Sequence, residues 1–297
     1  MDRDEFSITV YCLVCEHYQV IKNTYSLRRS GFAPALSDEA VLTLELCGAS
    51  FTLATDKDLF AYFRTPYAPF LPQLTNRTLF VRQAANLWQV KAAIQPRLTQ
   101  VRGPAADPGQ ILDPRPLPVC GDTRSGRARC LPTVADSGHG AAQKLDYSGF
   151  KLGLRSARWG RSISFPLWPA RPHDLRLLAD LVEGCAGLGP ADKGFLAAFR
   201  QGLLAERHGV LLVTPPRQGM ATPPPPTLLR LCAWLRKGVE TVGAHLTERF
   251  AVARLRVPDL WHFHPRLIRK VLAHTVGVFV TLQLGRPPLD LDGLVTV

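Results

Sequence analysis

The sequence predicts an α/β protein in two parts, an all-helical segment over residues 1–100 and a mixed sheet-and-helix segment over residues 110–297. Three observations support this. Apolar residues recur at helical spacing through the first hundred positions, as they do where a helix turns one stripe toward a core. That periodicity stops between Val101 and Gly109, where two prolines and two glycines mark a linker. Beyond it the pattern changes to short β-like runs, Gln110-Ile111-Leu112 and Val210-Leu211-Leu212-Val213 among them, interleaved with helical ones. At 297 residues, each part is long enough to bury a core of its own.

In the first part, Phe6 to Val20 reads as a helix with Phe6, Val10, Leu13 and Val14 inward. Ser37 is placed to cap a second helix that runs to about Ala49: its hydroxyl can accept an orphan amide, while Asp38 and Glu39 favour the positive end of the helix dipole. Thr55 caps a third, which stops before Pro66. A fourth starts near Thr75 or Asn76 and continues through Phe80, Ala84, Leu87, Val90 and Ala93 to Pro96, with Arg77, Arg82 and Lys91 on its polar side. Short helices ending in a longer basic one fit a helix-turn-helix-like DNA reader whose last helix enters a major groove. They fit equally a four-helix bundle with a solvated basic face, and the sequence leaves both open.

In the second part, Ile111-Leu112-Asp113 is a predicted strand, continued by Leu117-Pro118-Val119-Cys120 after a proline-broken turn. Tyr147 to Ser156 and Arg161 to Trp168 alternate apolar and polar residues about a turn at 157–160 and predict a β-hairpin. A helix over Asp174 to Val182, a strand ending at Gly187-Leu188, a helix over Phe195 to His208 and a strand over Val210 to Val213 follow. Six prolines between Pro215 and Pro226 exclude helix and central strand there. Leu228, Leu231, Cys232, Leu235, Val239, Val242, Leu246 and Phe250 then form the stripe of a long helix. The last helix, about Pro265 to Leu284, turns Leu267, Val271, Leu272, Val278 and Phe279 inward and places Arg266, Arg269, Lys270 and His274 on a basic side.

Charge narrows the functional classes. Thirty-six Lys and Arg against 24 Asp and Glu leave a net charge of +12, the footprint of a polyanion partner such as nucleic acid. No basic amphipathic helix with a broad apolar face points to a membrane surface. The opening Met1-Asp2-Arg3-Asp4-Glu5 lacks the apolar core of a signal peptide, and the run Val271 to Leu284 is too short and too interrupted to span a bilayer, so a cytoplasmic protein is expected. Of the seven cysteines only Cys12 and Cys15 have metal-like spacing. Without a second pair they read, with the others, as reduced and mostly buried thiols.

Three acids stand where α/β proteins place chemistry. Asp113 closes a strand, and Asp192 sits between a strand end and a helix, in Gly189-Pro190-Ala191-Asp192-Lys193-Gly194-Phe195. Glu240 flanks the apolar stripe of the long helix, with small Gly243 near it. Arg236 lies one turn before Glu240, placed either to reach a phosphate or to pair with Glu240 itself. Each acid alone reads as an ordinary surface carboxylate, and only folding could bring the three together.

Taken in order, several motifs carry a resemblance. They are Leu36-Ser37-Asp38-Glu39-Ala40-Val41-Leu42-Thr43, Thr78 to Trp88, Asp113 with Pro116-Leu117-Pro118-Val119-Cys120, Gly149-Phe150-Lys151, and Asp192-Lys193-Gly194-Phe195. Val239-Glu240-Thr241-Val242, Leu246-Thr247-Glu248-Arg249-Phe250, Asp259-Leu260-Trp261-His262 and Arg269 to Thr275 complete the set. In order and spacing the chain resembles the DDE transposases of bacterial insertion sequences, most closely the insertion-sequence 982 family, over nearly its whole length. It departs from that pattern between Gly121 and Leu154 and in the proline run 223–226.

The resemblance implies a ribonuclease-H-like catalytic core, a mixed sheet flanked by helices, over residues 110–297, joined by the linker 101–109 to the N-terminal helical, DNA-binding domain. It implies that Asp113, Asp192 and Glu240 are catalytic and hold two Mg²⁺ or Mn²⁺ ions. Hard divalent ions ask for such carboxylate oxygens, and two of them can clamp the attacking and leaving oxygens of a phosphodiester. Carboxylates so clustered should raise one another's pKa. Lys193 joins Arg77, Arg82 and Arg236 as an expected DNA contact. The implied partners are the element's terminal inverted repeats and target DNA, bound by a homodimer in the bacterial cytoplasm, on the nucleoid. The alternative is a protein that retains the basic surface and the helical reader but only binds DNA.

Overall fold

A computed structural model of the chain describes residues 1–24, 33–100, 110–128, 130–140, 144–157, 162–184, 187–192, 195, 198–216, 219–220, 223–255 and 257–296. The expected linker 101–109, the hairpin turn 158–160, Cys185 and Lys193 lie outside these residues. The chain is a mixed α/β protein that forms two compact units, Met1–Leu98 with Leu246–Val297, and Thr99–His245. The tail from Leu246 onward therefore belongs with the N-terminal helices and not, as its sequence order suggests, with the sheet.

The first unit is helical. It contains α1 (Arg3–Thr24), α2 (Asp38–Ser50), α3 (Asp56–Arg64), α4 (Arg77–Asn86), α5 (Trp88–Gln100) and, from the far end of the chain, the helix Leu260–Gln283. Local chemistry starts several of these. Ser37 accepts the Ala40 amide, Thr55 and Asp58 form a reciprocal capping box, and Asn76 accepts the amides of Thr78 and Leu79. Asp38 does more than face a helix dipole: it is buried and accepts hydrogen bonds from the Tyr18 hydroxyl and the Gln83 amide, each at 2.7 Å.

The single expected fourth helix is two. The chain breaks at Leu87 and resumes as α5, which runs through Pro96 to Gln100. The last helix likewise begins before Pro265 and continues past it. A proline inside a helix costs about 3 kcal/mol, and tertiary burial outweighs it here. The helix Leu260–Gln283 is enclosed nearly all round from Phe263 to Thr281, and its Leu272, Ala273, Val276, Val278 and Val280 share one core with Phe6, Leu42, Phe63 and Ile94.

That enclosure corrects the expected basic sides. Lys91, Arg269, Lys270 and His274 are buried, not solvated. Lys91 Nζ donates to Glu45 at 2.6 Å and to the Ala84 carbonyl at 2.9 Å. Arg269 reaches Glu45 at 3.3 Å and Asp56 at 2.8 Å, and Arg266 also pairs with Asp56. Burial works to raise the Asp56 carboxyl, but Arg269 and Arg266 outweigh it and hold the group below its ordinary value. Lys270 donates to the Phe250 carbonyl, and His274 packs edge-on against the Phe250 ring.

The second unit carries the sheet. β1 (Gln110–Gly121) pairs antiparallel with β3 (Leu145–Ala157), whose other edge is filled in turn by β2 (Asp136–Gly140), β5 (Leu167–Pro169) and β4 (Ser162–Ser164). The expected hairpin is thus a long strand facing two short ones. β1 is continuous where a proline-broken turn is expected, and its register explains why. The Gly153 amide donates to the Pro166 carbonyl and so faces away from β1, which makes Gly153 and its partner Pro114 a non-hydrogen-bonded pair. Pro116 and Pro118 follow at the same alternation, so all three prolines lose a donor the pairing with β3 does not use.

α6 (Asp174–Val182) leads to β6 (Gly187–Pro190), and α7 (Ala198–His208) is the crossover to the parallel β7 (Val210–Val213). Leu112, Leu178, Leu181, Val182, Phe195, Val210 and Leu212 form the core between these elements. A side chain at Gly189 would crowd Val210 at 3.2 Å, so glycine lets β6 lie close to its partner. α8 (Pro226–Ala244) starts with proline at its first position, where no donor is needed, and a π turn, His245–Arg249, follows it. The helix Leu260–Gln283 is α9. Among the described residues no helix is long and apolar enough to cross a membrane. The six described cysteines are free thiols, and only Cys47 and Cys232 are buried, fewer than expected.

Two outcomes test the buried charges. Glu45→Ala leaves Lys91 without its carboxylate and should cost about 3–5 kcal/mol by chemical denaturation, whereas Glu45→Leu with Lys91→Met should recover most of that. A cost below about 1 kcal/mol would mean that the pair is not a determinant of the fold. Burial first, then Arg269 and Arg266, bring Lys270 from 10.5 down to about 8, against the pull of Asp56. In that window the unfolded chain holds a proton the folded chain lacks. Stability should therefore rise as pH increases from about 8 toward 10.5, and Lys270→Met should flatten the rise.

Candidate functional site

Asp113 lies on β1, on the strand face shared by Ile111 and Arg115, while Leu112 turns the other way into the core with α6. Arg115, two residues on, donates Nε to the Asp113 carboxylate at 2.8 Å. Sequence reasoning missed Arg115, because the alternating prolines that suit the free side of β1 read in the sequence as a broken strand. Asp192 stands two residues past the end of β6, whose pairing is extended by the Ala191 amide donating to the Val213 carbonyl at 2.9 Å. Both terminal nitrogens of Arg236, on α8, lie 3.5 Å from Asp192 Oδ1. Of the two arrangements weighed for Arg236, pairing with Glu240 is therefore not the one observed.

The two aspartates are near enough to act on each other. Burial pushes the Asp113 carboxyl above its ordinary value, Arg115 and Arg236 pull it back, and Asp192 adds to the rise. The expected mutual repulsion of carboxylates is present, but it is the lesser cause. Exposure divides the pair: the Asp113 side chain is 23% exposed and that of Asp192 58%.

α8 spans this pair. Arg236 meets Asp192, and Gly243, two turns on, takes the Arg115 guanidinium so closely that a Cβ there would fall 1.9 Å from Arg115 Cζ. At 1.5 Å of rise per residue the two points are about 10 Å apart along the helix. Glu240 lies between them in height, at the edge of the buried stripe formed by Cys232, Leu235, Val239 and Val242, and is exposed. The structure thus brings Asp113, Asp192, Arg115 and Arg236 together and sets Glu240 beside them without a contact to either aspartate. Among the described residues no three acid, histidine or cysteine side chains converge closely enough to hold a metal ion. Arg77 and Arg82 are exposed on α4, in the helical unit.

No protein-family model, curated protein or solved structure matches the chain.

The contact between Gly243 and Arg115 gives a prediction. Gly243→Ala gains up to about 1 kcal/mol of helix propensity and displaces only the tip of a flexible side chain, so stability should change by less than about 1 kcal/mol. Asp113, having lost the nearest of its two arginines, should titrate higher than in the native protein, as read by NMR of the carboxyl carbon. An unmoved titration would show that Arg115 reaches Asp113 without the space Gly243 provides.

Proposed function

We propose that the second unit is the ribonuclease-H-like core of a DDE transposase that cleaves DNA at the ends of an insertion sequence and joins the exposed 3′-OH to target DNA. The observation that carries this is that Asp113, on β1, and Asp192, 79 positions on and just past the end of β6, lie close enough to feel each other's charge and share Arg236, under a helix that carries Glu240 on the same side. The basic character of the chain and the order of motifs shared with the insertion-sequence 982 family support the same reading.

In donor chemistry the set suits a hard divalent cation, although its three side chains do not converge on one point. It offers only carboxylate oxygens, and the acid pair already draws two guanidinium groups as counter-charge. Asp113, Asp192 and Glu240 are the residues that would hold Mg²⁺ or Mn²⁺. When bound, a pair of such ions supplies charge stabilisation for the attacking and leaving oxygens of phosphodiester exchange.

The chain's own groups divide the remaining work. Arg115 is held at 2.8 Å and braces Asp113. Arg236 sits at 3.5 Å, the outer limit of a hydrogen bond, and both of its terminal nitrogens face the exposed Asp192. It is the guanidinium free to exchange a loose carboxylate contact for a bidentate grip on a backbone phosphate, which would orient the scissile strand beneath Glu240.

Cleavage of a terminal-repeat duplex in Mg²⁺ tests this reading. Asp113→Ala, Asp192→Ala and Glu240→Ala should each lose about a thousandfold or more in rate, equivalent to about 4 kcal/mol, with DNA binding largely retained. Arg236→Lys should lose most of its rate, because an ammonium cannot reproduce the paired geometry. A nicking rate in Asp192→Ala equal to wild type would remove the site. Wild-type protein that binds the repeat in Mg²⁺ but never nicks it would leave a DNA-binding protein.

A further inference from the structure

The helical unit holds a cleft of about 740 Å³ walled by the starts of α3, α4 and α9 and by Arg254. Six of its lining residues are Lys or Arg, and its one carboxylate, Asp56, is already engaged by Arg266 and Arg269. Lys57, Arg77, Arg82 and Arg254 have no carboxylate partner among the described residues and are exposed. Three helix N-termini add the positive ends of their dipoles to the same space. On the first turn of α9, Trp261 lines the cleft and is 52% exposed, an uncommon setting for so large an apolar residue.

The shape decides among polyanions. A recognition helix reads a duplex by projecting into a groove about 12 Å wide. Arg77 and Arg82 instead line a concavity walled on its far side by α9, so they are not presented as a ridge. The volume is far more than one phosphate fills and matches one or two nucleotides. Guanidinium groups around an open indole are the combination by which proteins track an unpaired strand: phosphates on the cations, a base stacked on the ring.

We propose that this cleft binds an unpaired stretch of DNA strand, with backbone phosphates on Arg77, Arg82 and Arg254 and a base stacked on Trp261. The choice of DNA rests on the transposase reading, in which strand ends must be separated from their complements. The site itself rests on the cleft. It adds Arg254 and Trp261, from the C-terminal part of the chain, to the two arginines of α4.

Binding of a labelled oligothymidylate of about 15 nucleotides to the full chain, followed by fluorescence anisotropy in EDTA, tests the proposal without calling on cleavage. Trp261→Ala should weaken single-strand binding about 5- to 100-fold while leaving a blunt duplex within about twofold. Arg254→Ala should lower the slope of log affinity against log salt by about 0.7, one phosphate contact. Circular dichroism on both variants checks that these surface changes leave the fold intact. Unchanged single-strand affinity in both, or an equal loss for single strand and duplex in Trp261→Ala, would overturn the cleft assignment. Competition by inorganic phosphate at the same molarity as nucleotide would reduce it to a simple anion site and overturn it too. The two readings fail separately. Loss of single-strand binding in the variants beside a wild type that never nicks retains the cleft and rejects the transposase, whereas metal-dependent nicking with unaltered single-strand binding does the reverse.

Discussion

The helical unit depends on one buried network of charge. Glu45 on α2, Lys91 on α5 and Arg269 on α9 are buried, and with Asp56 at the start of α3, whose side chain is 13% exposed, they form a chain of ion pairs. Removing such groups from solvent costs several kcal/mol per ion, and only well-formed pairing returns it. The network's weight therefore lies less in net stability than in what it forbids. A slip of one turn by any of the four helices would leave a charge buried alone, so the arrangement of the unit is set by electrostatic necessity as much as by apolar packing.

The acid pair of the sheet unit follows the opposite economy. Asp113 and Asp192 are not sealed, and the two arginines beside them differ in grip, one at 2.8 Å and one at 3.5 Å. A contact as loose as that of Arg236 with the exposed Asp192 contributes little to folding. Arg236 can instead exchange partners, which is what a binding site requires and a structural ion pair such as Arg115 with Asp113 resists.

Much of the local structure was legible because its causes are local. Ser37, Thr55 and Asn76 cap the helices they precede, and the helix Asp174–Val182 and the strand Val210–Val213 occupy the residues their patterns mark. What failed to show depends on distant partners. Lys91 finds its carboxylate 46 positions away, and Arg269 finds Glu45 224 positions away. Read alone, each is a cation on a helix, and the default for such a residue is water. The same holds for α9, whose spacing reads as one-sided although packing encloses it. In the candidate site, the positions of Asp113 and Asp192 at strands were readable, but the salt bridge of Arg236 to Asp192, across 44 positions, was not.

The prolines of β1 have an effect that precedes folding. Pro114, Pro116 and Pro118 have their own φ locked, and each biases the residue before it toward extended backbone, so Asp113, Arg115 and Leu117 are restricted as well. Six consecutive residues are then nearly as extended in the denatured chain as in the sheet, and the entropy lost on ordering them is correspondingly small. Asp113 is thus aimed by the stiffness of its own covalent neighbourhood, and Arg115 is presented on the same side of the ribbon before any tertiary contact forms. Asp192 follows a four-residue strand with a single proline and lacks that stiffening, so its place is held by the pairing of β6 with β7.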